Sequence, residues 1–417
     1  MKIVKVKGRE IFDSRGMPTI ACDIFLDDGM VISSSVPSGA SCGQYEALEL
    51  RDGGKRLMGK GVLKAISNLE RIIAPELLDK EPAALELDRM IIELDGTQNK
   101  SYLGANTTLA ASMSLFKAQA YSEKLQLFEL VAYMMGAETV SLPYPMFNVI
   151  NGGAHADNNL CIQEFMIIPT DAGSFSQTME VAVAVFYELK RLLQKQGKSV
   201  SLGDEGGFAP RFSDEVEVLD CLMEAINKVY VSHNVTCAIA LDVAASEFYD
   251  PSKQLYKWHG KYLSSEDLIE FYTQLVQHYP IYSIEDGIDQ NDWDGWALMT
   301  KLLKEKIMIV GDDIFVTNAE KLAQAIEKNT ATASIIKPNQ IGTVSEALQA
   351  VALCKEYGLE TVISHRSGET CDTFIADLAV GAHSRYIKAG GCSRSERIAK
   401  YNRLLQIELE LVDADKE

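Results

Sequence analysis

What most constrains this chain is the way its apolar runs end. In the C-terminal two thirds, "CAIALDVAASEF" stops its run on Asp242, "YPIYSIEDGID" on Glu285, "IMIVGDDIFVTN" on Asp312, "ASIIKPNQIG" on Lys337, "ETVISHRSGET" on His365 and "SRYIKAGG" on Lys388. Short apolar runs of this kind read as strands covered on both faces, as in a parallel sheet. The ends recur at intervals of 23 to 43 residues, and the intervals hold helical patterns such as "NAEKLAQAIEKN" and "VSEALQAVALCKEYG". Strand, helix, strand at that period means consecutive βα units. An open doubly wound sheet binds its ligand at one switch point, whereas a closed barrel gathers residues from the C-terminal ends of many strands. Six strand ends carrying acids, lysines and a histidine predict the barrel.

The N-terminal third follows another pattern. "TIACDIFLDDGMVI" alternates Ile20, Cys22, Ile24 and Leu26 and then turns at Asp28-Gly29, a hairpin signal. Two helical stretches follow, "GVLKAISNLERIIAPELL" and "TTLAASMSLFKAQAYSEKL", the second with Leu109, Met113, Phe116 and Ala120 on one stripe. Strands followed by helices predict an α+β domain over 1–136. Prolines and glycines around "SLPYPMFNVINGG" mark the passage to a barrel domain over 137–417.

Charge narrows the partners. Asp and Glu number 59 against 40 Lys and Arg, a formal net charge of −19. That balance argues against a nucleic-acid or anionic-membrane surface, and an anionic substrate would need a local cationic pocket. "MKIVKVKG" lacks the apolar core of a signal peptide, and no run approaches the roughly 18 apolar residues that suggest a membrane span, so a cytoplasmic location is expected. Eight cysteines without a C-x-x-C pair or zinc-finger spacing read as reduced thiols.

Asp242, Glu285 and Asp312 offer three carboxylates from neighbouring strand ends, an all-oxygen set that suits a hard cation such as Mg²⁺ rather than zinc. Two further acids stand in unusual settings: Glu164 in "CIQEFMIIP", and Glu205 in "SLGDEGGFAP", where Gly203, Gly206 and Gly207 permit a sharp turn and close backbone approach. With these residues the chain resembles the enolase family, the phosphopyruvate hydratases of glycolysis. The likeness runs from "REIFDSRGMPT" through "PSGASCGQYEALELRDG", "FNVINGGAHADN", "GDEGGFAP", "LDVAASEF", "SIEDGIDQNDW", "GDDIFVTN", "IKPNQIGT" and "SHRSGET" to "SRSERIAKYNRLL".

The resemblance implies an irregular TIM-type (β/α)8 barrel with an antiparallel strand early on, and two Mg²⁺ per site. It implies Asp242, Glu285 and Asp312 as ligands of the first ion and Ser41, in the "SGAS" lid loop, as ligand of the second. Lys337 matches the general base, Glu205 the general acid and Glu164 its assistant. His155, His365, Arg366, Ser367 and Lys388 match residues that hold the substrate, 2-phosphoglycerate or phosphoenolpyruvate. A homodimer or an octamer of dimers is the implied assembly.

The chemistry explains the residue types. Removing the proton beside a carboxylate adds charge to a group already anionic, which concentrated positive charge must stabilise; sites of this superfamily are a standard example, with a Lys or His base beside one or two Mg²⁺ ions. A base at Lys337 has to be neutral, against an ordinary lysine pKa of about 10.4. Hydroxide leaves poorly, so Glu205 has to be protonated, a state that crowding beside Glu164 is expected to favour.

Three positions depart from the family pattern: Cys42 where relatives usually carry threonine in the lid, Cys371 where an acid commonly follows "SGET", and Gly287 where proline often follows "SIED". None removes a proposed catalytic group. A racemase or acid-sugar dehydratase of the same superfamily would share the carboxylate triad but is not expected to combine it with "SGAS", "GDEGG" and "SHRS". Roles as a surface receptor or as a scaffold in RNA-degrading complexes, known in the family, would be additional to catalysis.

Overall fold

The computed structural model describes residues 1–39 and 43–414. Ser41 and Cys42 therefore lie outside the described residues. The chain opens with an antiparallel three-stranded sheet, β1 (Ile3–Phe12), β2 (Pro18–Leu26) and β3 (Val31–Ser35), in that spatial order. The turn expected at Asp28-Gly29 joins β2 to β3, and Gly29 takes φ +91°, a conformation that glycine adopts without steric cost. β1, which sequence periodicity did not mark, pairs with the whole length of β2.

Helix Ala105–Glu123 buries Leu109, Met113, Phe116 and Ala120, as the stripe predicts. Over residues 105–116 its remaining faces are buried too. Thr108 Oγ1 donates to Gly342 O at 2.7 Å, Ser112 Oγ to Asp88 Oδ2 at 2.7 Å and Ser114 Oγ to Cys22 O at 2.9 Å. The helix is wedged between the N-terminal sheet and the barrel, so its hydroxyls satisfy buried acceptors on both sides and the single-stripe pattern widens to the whole circumference.

The barrel begins with β4 (Tyr144–Asn151), β5 (Glu164–Pro169) and β6 (Cys237–Asp242). A small antiparallel sheet is inserted after β6: β7 (Tyr249–Asp250), β8 (Leu255–Trp258) and β9 (Lys261–Leu263). The later barrel strands are β10 (Ile281–Glu285), β11 (Met308–Gly311), β12 (Ala333–Ile336), β13 (Glu360–Ser364) and β14 (Tyr386–Gly390). Around the closed barrel the order is β10-β11-β12-β13-β14-β4-β5-β6. Every neighbouring pair is parallel except the two made by β5, which runs against both β4 and β6.

One end of the barrel interior is apolar: Met146, Met166, Ile168, Ala240, Val310, Ala333, Ile335, Val362 and Tyr386 pack together there. The other end receives the polar residues that terminate the parallel strands, as a packed β/α barrel demands. Gly287 fits its place by having no side chain: a Cβ would lie 2.9 Å from Met299 Sδ, and Tyr272 Oη donates to the Gly287 carbonyl at 2.9 Å.

Candidate active site

Strand direction decides which residue reaches the mouth. Asp242 and Glu285 are the last residues of β6 and β10 and stand in register with each other. Asp312, Lys337 and His365 each follow their strand by one residue, and Lys388 lies within β14 beside Ser364 of β13. Because β5 is reversed, its first residue rather than its last sits at this end: Glu164 pairs with Asn151 on one side and Asp242 on the other. Glu205 comes from no strand. It lies in the loop between helices Phe175–Lys195 and Glu215–His233, and Gly391 N–H donates to its carbonyl at 2.8 Å. That approach needs Gly390, at φ +90°, where a Cβ would meet Glu205 O at 2.8 Å.

Asp242, Asp312, Lys337, His365, Lys388, Glu164 and Glu205 line one cleft, with Glu46, Gln163, Asp286, Asp313 and Ser364 among its other walls. Of the expected residues that are described, Glu285 alone is missing from the lining, and its carboxylate pairs with the Lys388 ammonium at 3.0 Å. The barrel order divides the mouth into walls. Asp242, Glu285 and Asp312 occupy the consecutive strands β6, β10 and β11; His365 follows β13 and Lys388 lies in β14. Lys337 after β12 and Glu164 on β5 are four strands apart in a closed ring of eight, so they face each other across the cleft.

The electrostatics follow from the burial. Lys388 Nζ lies 2.8 Å from Asp242 Oδ2, 3.0 Å from Glu285 Oε2 and 3.1 Å from Glu164 Oε1, and these carboxylates hold its pKa well above the ordinary lysine value although burial opposes the charge. Lys337 Nζ pairs with Asp312 Oδ2, while Gln340 Nε2 donates to Asp312 Oδ1 at 2.8 Å. Burial lowers the Lys337 pKa, but the Asp312 charge outweighs it and leaves the ammonium favoured. Lys337 is thus charged with this pairing intact, and a neutral base requires the Asp312 charge to be engaged elsewhere.

Glu164 and Glu205 form a buried pair. Burial, then the charge of Glu205, raise Glu164 well above the carboxylate range. Burial acts the same way on Glu205, but His155 and His365 overcome it and hold Glu205 low. The two shifts run in opposite directions and favour a proton on Glu164, whereas crowding alone is expected to favour Glu205. Glu205 has its anion stabilised by His155 Nδ1 at 3.4 Å, His365 Nε2 at 3.7 Å and the Asn148 amide, which donates at 3.0 Å.

The donors fit a hard cation. Carboxylates outnumber side-chain cations in the cleft, and the ligand-type atoms there are almost all oxygen. Among the described residues, Asn148 Oδ1, Gln163 Oε1 and Glu164 Oε2 are buried without a hydrogen-bond partner, a state that a ligand at the mouth would relieve. Two sets with ligand atoms within 4.8 Å of one another border the cleft, Asp286–Asp312–Asp313 and His155–Glu164–Glu205. The carboxylates of the expected triad are instead paired with lysines, Asp242 and Glu285 with Lys388 and Asp312 with Lys337. Asp286 accepts from the Asp312 and Asp313 amides at 2.8 and 2.9 Å, which fixes the backbone that carries Asp312.

Two family models match this chain, the enolase N-terminal domain over residues 3–131 and the enolase C-terminal TIM barrel domain over residues 139–416. An enolase from a Nitratiruptor species is 49% identical over 411 residues, which cover 98% of this chain and 97% of that relative. The chain belongs to the enolase family. It is accordingly an enzyme of the lyase class, acting on a small molecule, and no helix among its described residues is long and apolar enough to cross a membrane.

Within this enolase-family site, sequence reasoning missed the residues that hold the others. Glu46, from the N-terminal part, accepts from Arg366 Nη1 at 2.9 Å and Nη2 at 3.2 Å. Arg397, wholly buried on helix Ser395–Ala414, donates through Nη1 to His365 Nδ1 at 2.6 Å and to Arg366 O at 2.6 Å, and through Nη2 to Ser367 O at 2.7 Å. Arginine only donates, so His365 Nδ1 is the acceptor and the ring proton sits on Nε2, facing Glu205. The signal was present in "SERIAKYNRLL": Arg397, Lys400, Tyr401 and Leu404 share the spacing of a buried face, and two cations on such a face need internal acceptors.

Arg397→Met removes a donor from His365 and from two buried carbonyls, at about 1–3 kcal/mol for each acceptor left unpaired. It also removes a positive charge which, with burial as the larger cause, keeps His365 neutral. Denaturation should show the lost stability, and NMR titration should find the His365 pKa moved upward from its depressed value. A titration identical to the parent's would remove Arg397 from this role.

Proposed function

We propose that the chain catalyses the reversible dehydration of 2-phosphoglycerate to phosphoenolpyruvate, with two Mg²⁺ per site. The observation that carries this reading is the opposition of Lys337 and the Glu164–Glu205 pair across the cleft. A base on one wall and an acid on the other suit elimination of a proton and a hydroxyl from opposite faces of a bound substrate.

Asp242, Glu285 and Asp312 would hold the first ion, and Ser41 is proposed for the second. When bound, Mg²⁺ supplies the positive charge that stabilises a doubly ionised carboxylate. In this reading Lys337 Nζ takes the C2 proton in its neutral form, which it reaches once Asp312 no longer pairs with it. Lys388, charged at all ordinary pH, faces the substrate carboxylate. The shared proton of the Glu164–Glu205 pair leaves with the C3 hydroxyl as water. His155, His365, Arg366 and Ser367 are proposed to orient the substrate, with Arg397 and Glu46 fixing His365 and Arg366. Operation in glycolysis in the cytoplasm, as a homodimer or an octamer of dimers, belongs to the same proposal.

The direct test follows phosphoenolpyruvate absorbance from 2-phosphoglycerate. Turnover should stop in thoroughly metal-free buffer and return with Mg²⁺. Full activity without metal would sink the reading, and so would a complete failure of the metal-replete protein to act on this substrate.

A further inference from the structure

A second cluster of ligand-type side chains lies outside the cleft. Cys161 precedes β5 on the loop that carries His155, Glu215 opens helix Glu215–His233, and His259 sits in the turn between β8 and β9. A sulphur, a carboxylate oxygen and a ring nitrogen from these three residues lie within 4.8 Å of one another. Glu215 is 1% exposed, whereas the His259 side chain is 27% exposed, so the cluster is half-open to solvent.

We propose that Cys161, Glu215 and His259 form a binding site for a borderline-soft divalent cation, with Zn²⁺ the best match. Sulphur, imidazole and carboxylate are the three ligand types zinc takes, and a three-residue set leaves a fourth tetrahedral position for water. Mg²⁺ avoids sulphur, so this site and the oxygen-rich cleft select different metals.

The surroundings are arranged as metal sites require. The Cys161 backbone N–H donates to Glu215 Oε1 at 2.8 Å and so orients the carboxylate, while Glu215 Oε2 accepts from His259 Nε2 at 2.7 Å. Trp258 pairs with Lys261, so His259 and Gly260 are the two central residues of the hairpin turn, and both are left-handed, at φ +45° and +77°. Such turns select Asn, Asp or Gly, and another residue held there at positive φ costs of order 1–3 kcal/mol. A histidine at this position accepts that strain while its ring meets the thiol and the carboxylate. On binding, the Cys161 thiol gives its proton to solvent, and His259 binds as a neutral imidazole through Nε2 with its ring proton transferred by solvent to Nδ1. The ion would tie the His155 loop to a helix and to the inserted hairpin at once. No spacing rule could find the site, since its three residues are far apart in the chain.

Cobalt substitution tests the site with the full chain. In excess Mg²⁺, which occupies the oxygen ligands of the cleft, Co²⁺ should give a thiolate-to-metal absorption band at one ion per chain, and Zn²⁺ should abolish it. Cys161→Ser should lose the band. His259→Asn, which suits the turn, should keep turnover and bind Co²⁺ at least about tenfold more weakly, as losing one of three ligands implies. Zn²⁺ should also raise the melting temperature of the parent but not of His259→Asn. Absence of the band in the parent, or its persistence unchanged in both variants, would overturn the assignment.

Discussion

Lys388→Met should abolish turnover and, without metal, should lower stability by about 3–5 kcal/mol, the range for removing one partner from a buried ionic cluster. The ammonium is 2% exposed and touches Glu164, Asp242 and Glu285, so its loss leaves buried carboxylates facing one another. The effect has a pH signature. Burial, then the charge of Asp242, push Glu285 up to about 8 from an ordinary 4.5, and Lys388 restrains that rise. A carboxyl raised in the folded state stabilises fully below its unfolded pKa, and this contribution is lost as pH climbs to the folded value. The metal-free parent should therefore weaken between about pH 4.5 and about pH 8. The variant should continue to weaken above that window, because the restraint on Glu285 is gone and its folded value rises further. Added Mg²⁺ should restore much of the variant's stability without restoring turnover, since it neutralises the acids but does not replace the ammonium facing substrate. Urea denaturation across this pH range, with and without Mg²⁺, checks each part. A variant as stable as the parent at the alkaline end would show that the cluster does not depend on Lys388.

The barrel was legible because each of its parallel strands after β5 carries a functional side chain at or near its C-terminal end, at the period of a βα unit. β5 itself was legible only through resemblance: "EFMIIP" reads the same in either direction, and its reversal depends on pairing with β4 and β6. That reversal is why Glu164 stands at the start of its run when every other strand-borne acid stands at the end. The first strand, "IVKVKGREIF", was missed because half its residues are exposed, Lys5, Lys7 and Arg9 among them, as an edge strand's are. At the site, the residues aimed into the cleft were readable from motifs, while those that hold them were not. Glu46 meets Arg366 only across the whole chain, and Arg397 reaches His365 from the last helix. The location of the shared proton was beyond composition too. It depends on His155 lying nearer Glu205, at 3.4 Å, than Glu164, at 3.8 Å, and on His365 facing Glu205, which is a fact of distance.

Base and acid should separate by experiment. Lys337→Ala is expected to lose exchange of the C2 hydrogen of 2-phosphoglycerate with heavy water, while Glu205→Gln keeps exchange and fails to expel hydroxide. Each step should fall by about 10²–10⁴-fold, the range for a positioned acid or base. The separation rests on geometry, because Lys337 lies four strands from Glu164 around the barrel and the two act from opposite walls. It also rests on the coupling within the acid pair. Burial and then the Glu205 charge raise the Glu164 pKa, so a glutamine at 205 removes the second of these causes and lets it fall. Residual dehydration in Glu205→Gln should accordingly decline from a lower pH than in the parent, and C2 exchange should not. Metal enters the same test, since Lys337 is held protonated by Asp312 and exchange should need Mg²⁺ in the parent and in Glu205→Gln alike. Unimpaired exchange in Lys337→Ala would give the base role to another residue. Loss of exchange in Glu205→Gln would mean that the carboxyl pair takes part in both steps, and the division of labour between the two walls would fall with it.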